Sequence, residues 1–231
     1  MIDLYAMSSP NVNKVLIMLE ELGAPYRLHH INVFEGEQFT PAFQMLSPMG
    51  KVPIIVDAEG ELRDQTVFES GAILIYLAER HKRFLPPTGP VRYEILEWLM
   101  IQLCNIGPVF GQFTHFRQLA QPGNDYALTR YGNMAMRIYR MVDGRLADRP
   151  WLAGDDYSIA DMAAYPWMLY VDRHGIEWSR LPNLKRWCDV IGARPAVQRA
   201  CNRTTQMRSV DLEWMSKTST RQLDRFFARS E

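Results

Sequence analysis

The chain has 231 residues, 47% of them hydrophobic and 23% charged, an ordinary composition for a globular protein with room for one large domain or two modest ones. Lysine plus arginine and aspartate plus glutamate number 26 each, so the formal net charge is zero, which argues against a nucleic-acid or anionic-membrane partner. No apolar run approaches the ~20 residues of a membrane span, and Cys104, Cys188 and Cys201 contain no CxxC pair, which points away from a disulfide framework.

Residues 2–6 read as a short apolar strand. The polar quartet Ser8-Ser9-Pro10-Asn11 follows. In residues 12–22, Val15, Leu16, Met18, Leu19 and Leu22 recur at helical spacing with Lys14, Glu20 and Glu21 between them. Gly23 and Pro25 supply a helix stop. Residues 26–33 form a second strand, "FEGEQF" a loop, and residues 41–46 a short helix. "KVPIIVD" is the β-branched run of a strand covered on both faces. "AEGE" is a turn, residues 62–68 a further strand, and residues 70–80 a helix with Ile73, Leu74 and Leu77 on one face. A βαβ unit followed by a hairpin and a closing helix predicts a mixed sheet with helices on its faces.

"PPTGP" at residues 86–90 signals a linker. Beyond it, helical patterns cover residues 93–103, 126–146, 160–170 and 184–191, and "IGPVFGQFTHF" interrupts that patterning with two glycines and a proline. "YSIADMAAYPW" carries a capping-box arrangement in Ser158 and Asp161. The charged tail from residue 212 is either a last helix or a frayed end. The expected fold is a small α/β domain followed by an all-α one.

Three places invite chemistry. The Ser8–Asn11 quartet is a helix cap, a nucleophile or a cradle for a ligand's reactive atom. The nucleophile reading lacks support, because no G-x-S-x-G elbow surrounds either serine. Val52-Pro53 is either an ordinary strand-entry proline or one that leaves the Val52 backbone free to pair with a peptide ligand. Glu69-Ser70 opens a helix after a strand. It is either a simple cap or a pocket in which free N–H groups and a hydroxyl take a carboxylate while Glu69 takes an ammonium, the two halves of an amino-acid head group. His29, His30, His81, His115 and His174 show no metal-ligand spacing, so no metal is expected.

Together "MIDLYAMSSPNVNKVLIMLEELG", "GKVPIIVD" and "VFESGAILIYLAER" resemble the thioredoxin-like N-terminal domain of glutathione transferases, and "WLAGDDYSIADMAAYPW" resembles the helical-domain motif of the same family. The resemblance spans nearly the whole chain. The Ser-Pro-Asn after the first strand looks most like the bacterial nu-class, prion-related branch. It implies a thioredoxin-like glutathione-binding domain at residues 1–81, a linker at 82–90 and an all-helical domain at 91–231. It implies glutathione as substrate or cosubstrate, with Ser9 and Asn11 stabilising its thiolate and Ser8 in reserve. Tyr5 is a weaker competitor, lying four residues before Ser9. Val52 would pair with the cysteinyl backbone, Pro53 would be the cis proline, and Glu69 and Ser70 would bind the γ-glutamyl head group. Gln38 and Lys51 match positions that contact the peptide, Lys51 near the glycyl carboxylate, and Arg130 matches one reaching glutathione from the helical domain. The expected activity is that of a glutathione transferase with glutathione-dependent disulfide reduction, acting on a small electrophile or disulfide in a pocket between the domains lined partly from residues 98–116. A non-catalytic glutathione-binding module of the same fold is the alternative. The family is usually homodimeric. The N-terminus, with Asp3 and no basic region, is unlike a secretory signal, so the expected location is the cytoplasm.

Overall fold

Alternation along β1 (Ile2–Ala6) sets the centre of the first compact unit: Ile2, Leu4 and Ala6 are buried, while Asp3 and Tyr5 take the other, half-buried face. The structure is a computed structural model and describes residues 1–60, 64–227 and 229. After β1 come α1 (Pro10–Leu22), β2 (Tyr26–His30), α2 (Pro41–Leu46), β3 (Ile54–Asp57), β4 (Gln65–Phe68) and α3 (Ser70–His81). The sheet order is β2-β1-β3-β4, with β1 parallel to β2 and antiparallel to β3, and β3 antiparallel to β4. This is the mixed sheet that a βαβ unit followed by a hairpin dictates. The start of the last expected strand, residues 62–63, and Glu61 of the expected turn lie outside the described residues. Gly23 ends α1 at φ 64°, and its N–H closes on the Glu20 and Leu19 carbonyls, as a left-handed C-cap requires.

The second compact unit, Ala78–Arg194, is helical. It contains α4 (Pro90–Ile101), α5 (Gly107–Gln118), α6 (Asp125–Arg145), α7 (Ile159–Met168) and α8 (Pro182–Gly192). The glycines and proline of "IGPVFGQFTHF" do not stop the helix. The helix runs on without a break from α4, so Pro108 is interior to it, and a π turn at Gln102–Ile106 directly before the proline absorbs the irregularity. The Ser158–Asp161 capping box forms as its sequence implies and reaches further. Asp161 accepts from Leu152 N (3.0 Å), Trp187 Nε1 (2.9 Å), Ser158 N (3.1 Å) and Ser158 Oγ (3.1 Å), tying α7 to α8 in a site with no solvent exposure.

The rest of the chain returns to the first unit, which comprises Met1–Leu77 and Pro195–Glu231. Its last helices are α9 (Pro195–Lys217) and α10 (Thr220–Phe226). The sequence patterns do not announce α9. It lies along α1, where Arg199 Nε donates to Glu20 Oε2 at 2.7 Å and Thr204 Oγ1 to Asn13 Oδ1 at 3.1 Å. Trp214, Met215, Leu223 and Phe226 from α9 and α10 pack on the cluster of Ile31, Val33, Phe34, Phe43 and Ile54.

His174 is buried in the second unit between Thr114 Oγ1 (3.0 Å from Nε2) and the Tyr139 hydroxyl (2.8 Å from Nδ1). Burial depresses its pKa to about 4. An unfolded histidine titrates near ~6.5. Between those values the unfolded chain takes the proton first, so acid draws the protein toward unfolding. The His174 contribution is complete above about pH 6.5 and is lost as pH falls through about 4, a change of about 3 kcal/mol. Urea unfolding of the wild type and His174→Gln between pH 7 and 4 measures this. The expected outcome is a shallower acid-side loss in the variant, and parallel curves contradict the assignment.

Candidate functional site

Strand register gathers the site. Tyr5 pairs with Ile54 and Ile54 with Phe68, so the end of β1, the start of β3 and the end of β4 share one edge of the sheet. Ser8–Ser9 follow β1, Val52–Pro53 precede β3 and Glu69–Ser70 follow β4. The N-termini of α1 and α3 therefore open at that edge, with their free N–H groups and positive dipole ends.

Ser9 is the N-cap of α1. Its backbone is extended (φ −150°, ψ 157°), its carbonyl accepts from Asn13 N at 3.0 Å, and its Oγ accepts from Val12 N at 3.2 Å. Capping uses only an acceptor position of the hydroxyl, so its proton remains for a second partner. Asn11 lies one residue into the helix, half-buried. Ser8 is held by its backbone: its N–H donates to Asp211 Oδ2 of α9 at 2.7 Å. The other oxygen of Asp211, a residue only 4% exposed, pairs with His30 Nε2 at 2.7 Å, and the His30 ring packs on Trp214 at 4.5 Å. Tyr5 lies on the other face of β1, stacked on His29 at 4.7 Å with Phe43 against its edge.

Gln38 is 4% exposed and donates through Nε2 to the Val33 carbonyl at 3.0 Å. Its Oε1 has no hydrogen-bond partner among the described residues. Gly50, at φ 59°, brings the chain against the Gln38 carbonyl, which a Cβ there would meet at 2.9 Å. Only glycine fits both the conformation and the approach. Lys51 is exposed, and its N–H donates to Ser47 Oγ at 3.3 Å. Val52 lies just outside the sheet ladder, and the Val52–Pro53 peptide is cis.

Glu69 adopts φ 70°, rare for a residue with a side chain, and its carbonyl accepts from Ile73 N at 2.9 Å. Its carboxylate is exposed while Ser70, the first residue of α3, is buried. Ser70 Oγ accepts from Lys14 Nζ at 3.2 Å. Lys14 is 1% exposed, although the helical pattern groups it with the polar positions of α1. Burial lowers its pKa to about 7, opposed by the Glu69 charge. Sequence reasoning thus missed Lys14 and Asp211, and neither has a local signal. Arg130 stands exposed on α6 of the second unit. None of the three cysteines lies at the sheet edge. Cys104 and Cys188 belong to the second unit, and Cys201 of α9 accepts from Asn13 Nδ2 at 3.8 Å. Among the described residues no group of three or more His, Cys, Asp or Glu is placed to hold a metal.

Comparison with known proteins agrees with this architecture. Residues 8–80 match the family model for the glutathione S-transferase N-terminal domain and residues 133–195 that for the C-terminal domain. The chain is 41% identical over 203 residues to the disulfide-bond oxidoreductase YfcG of Escherichia coli (strain K12), covering 87% of this chain and 94% of YfcG. The crystal structure of a glutathione transferase family member from Pseudomonas fluorescens pf-5 with two glutathiones bound superposes with a TM-score of 0.81 at 39% identity, over 86% of this chain and 91% of that one. A glutathione transferase from Pseudomonas putida with one glutathione disulfide bound per subunit gives 0.82 at 37% identity, over 86% and 90%. The chain belongs to the glutathione transferase family.

Asp211 carries the connection between α9 and the Ser8–Asn11 loop. Asp211→Ala leaves the Ser8 N–H and His30 without their acceptor and is expected to cost about 2 kcal/mol of stability in urea unfolding. Asp211→Asn keeps an acceptor for Ser8 and should lose less. A wild-type midpoint for Asp211→Ala contradicts the anchoring role.

Proposed function

We propose that the protein is a glutathione-dependent enzyme that binds glutathione along the site edge of the sheet and uses its thiolate to reduce disulfides. The carrying observation is Ser9: its hydroxyl caps α1 through its oxygen and keeps its proton for a sulfur anion at a helix N-terminus. A free thiol titrates near ~8.5, and lowering that by two units takes about 2.7 kcal/mol of preference for the anion. One charge-assisted hydrogen bond and a helix N-terminus together are of that order. Asn11 adds a second donor, with Ser8 as the alternative to Ser9. Glutathione's cysteinyl backbone pairs with Val52 beside Pro53, its peptide meets Gln38, its glycyl carboxylate lies toward Lys51, and its γ-glutamyl group takes Glu69 and Ser70.

The electrons come from glutathione alone: none of the three cysteines is among the residues assigned to the ligand. A bound thiolate attacks one sulfur of the disulfide RSSR, forming the mixed disulfide RS–SG and releasing RS⁻. A second glutathione thiolate attacks the glutathione sulfur of RS–SG, giving glutathione disulfide and the second RS⁻. The two glutathiones bound in the P. fluorescens protein and the glutathione disulfide in the P. putida protein support this stoichiometry, as does the naming of YfcG as a disulfide-bond oxidoreductase. The same similarities support placement in the nu-class branch. A homodimer in the cytoplasm completes the reading, with domains bounded along the sequence at residues 1–81 and 91–231, the segment from Pro195 onward belonging to the compact unit of the first.

Turnover of a small disulfide should exceed conjugation of an aromatic halide at saturating glutathione, and Ser9→Ala should lower disulfide turnover by roughly 10- to 100-fold. Inactivity in both assays contradicts the enzyme reading. Halide conjugation alone would replace reduction with group transfer.

A further inference from the structure

Lys14 has no part in the reaction described above, yet it is buried against Ser70, a residue assigned to the γ-glutamyl group. Its Nζ donates to Ser70 Oγ at 3.2 Å. An ammonium has three donors and no acceptor, whereas a serine hydroxyl has one donor and two acceptor positions. In the protonated form of Lys14, the form an adjacent carboxylate favours, the Ser70 oxygen accepts and its own proton is left to donate elsewhere. Ser70 begins α3, a helix of 12 residues, so the free N–H groups of its first turn gather at the same point. The buried ammonium, the oriented hydroxyl and the helix N-terminus all favour an anion. Glu69, immediately before Ser70, supplies the opposite charge. A lysine of 1% exposure is costly compared with an apolar residue of the same length, so a role in packing alone does not account for it.

Resting on the glutathione reading, we propose that Lys14 is a positioning residue for the α-carboxylate of the γ-glutamyl group. It fixes the Ser70 hydroxyl as a donor toward that carboxylate and places a positive charge behind it. The site thereby selects γ-glutamyl peptides with a free α-carboxylate over those in which this group is amidated.

The test is calorimetric binding of glutathione and of its γ-glutamyl α-carboxamide analogue to the wild type, Lys14→Met and Lys14→Gln. The ratio of the two affinities isolates the carboxylate, because a merely structural effect of the substitution weakens both ligands alike. The wild type is expected to prefer glutathione by roughly 10-fold or more, and Lys14→Met by about 3-fold or less. If Lys14→Met does not fold, Lys14→Gln, which keeps polarity without charge, decides by the same ratio. An unchanged preference in the folded variant overturns the role of Lys14 and leaves the glutathione reading standing. No preference in the wild type also overturns it. A wild type that binds neither ligand contradicts the glutathione reading itself.

Discussion

The first unit depends on where α1 begins. A helix leaves its first N–H groups without intrahelical partners, and at this sheet edge those groups belong to a helix whose residues 12–19 are all buried. Ser9 answers the problem from within the chain by giving its oxygen to Val12 N. That leaves the hydroxyl proton uncommitted by the cap, beside the positive end of the helix dipole. The structural requirement and the chemical opportunity are the same geometry, so a cap and a thiolate cradle do not compete for Ser9.

The surroundings of α1 are built to keep that start in place. Asp211 reaches from α9 to the Ser8 backbone, and Arg199 seals the other end of α1 against Glu20. The contribution of the C-terminal segment is thus to the site's own unit: α9 fixes the polar loop and, with α10, covers the cluster around Phe34 and Phe43. Lys14 extends the same principle inward, joining the start of α3 to the side of α1. The two helix N-termini that open on this sheet edge are tied together by that contact.

How much of this is legible in the sequence depends on the range over which each signal acts. The strands, α1 and the Ser9 cap are local, written in apolar spacing and in the polar quartet before it. The sheet order follows from a βαβ unit and a hairpin. Lys14 is not legible because binary patterning assigns a lysine to the solvated face, and this helix has no such face at residues 12–19. α9 escapes because its inward stripe runs through Ala200, Thr204, Met207, Asp211 and Trp214, where small and polar residues replace the expected aliphatic ones. α5 escapes because Gly107, Pro108 and Gly111 read as breakers, whereas a π turn just before them lets the helix continue through the proline. The contact of Asp211 with Ser8 joins residues far apart in the chain, and no local pattern encodes it. Of the candidate site, the motifs that the sheet edge brings together were readable, while Lys14 and Asp211, which tie them to the rest of the unit, were not.

The central claim is that this sheet edge converts a bound thiol into a thiolate near neutral pH. Ultraviolet difference titration of glutathione bound to the protein measures that directly, through the thiolate absorbance as pH is raised. The account predicts an apparent thiol pKa about two units below the ~8.5 of a free thiol. A bound thiol that titrates with the free one would contradict it.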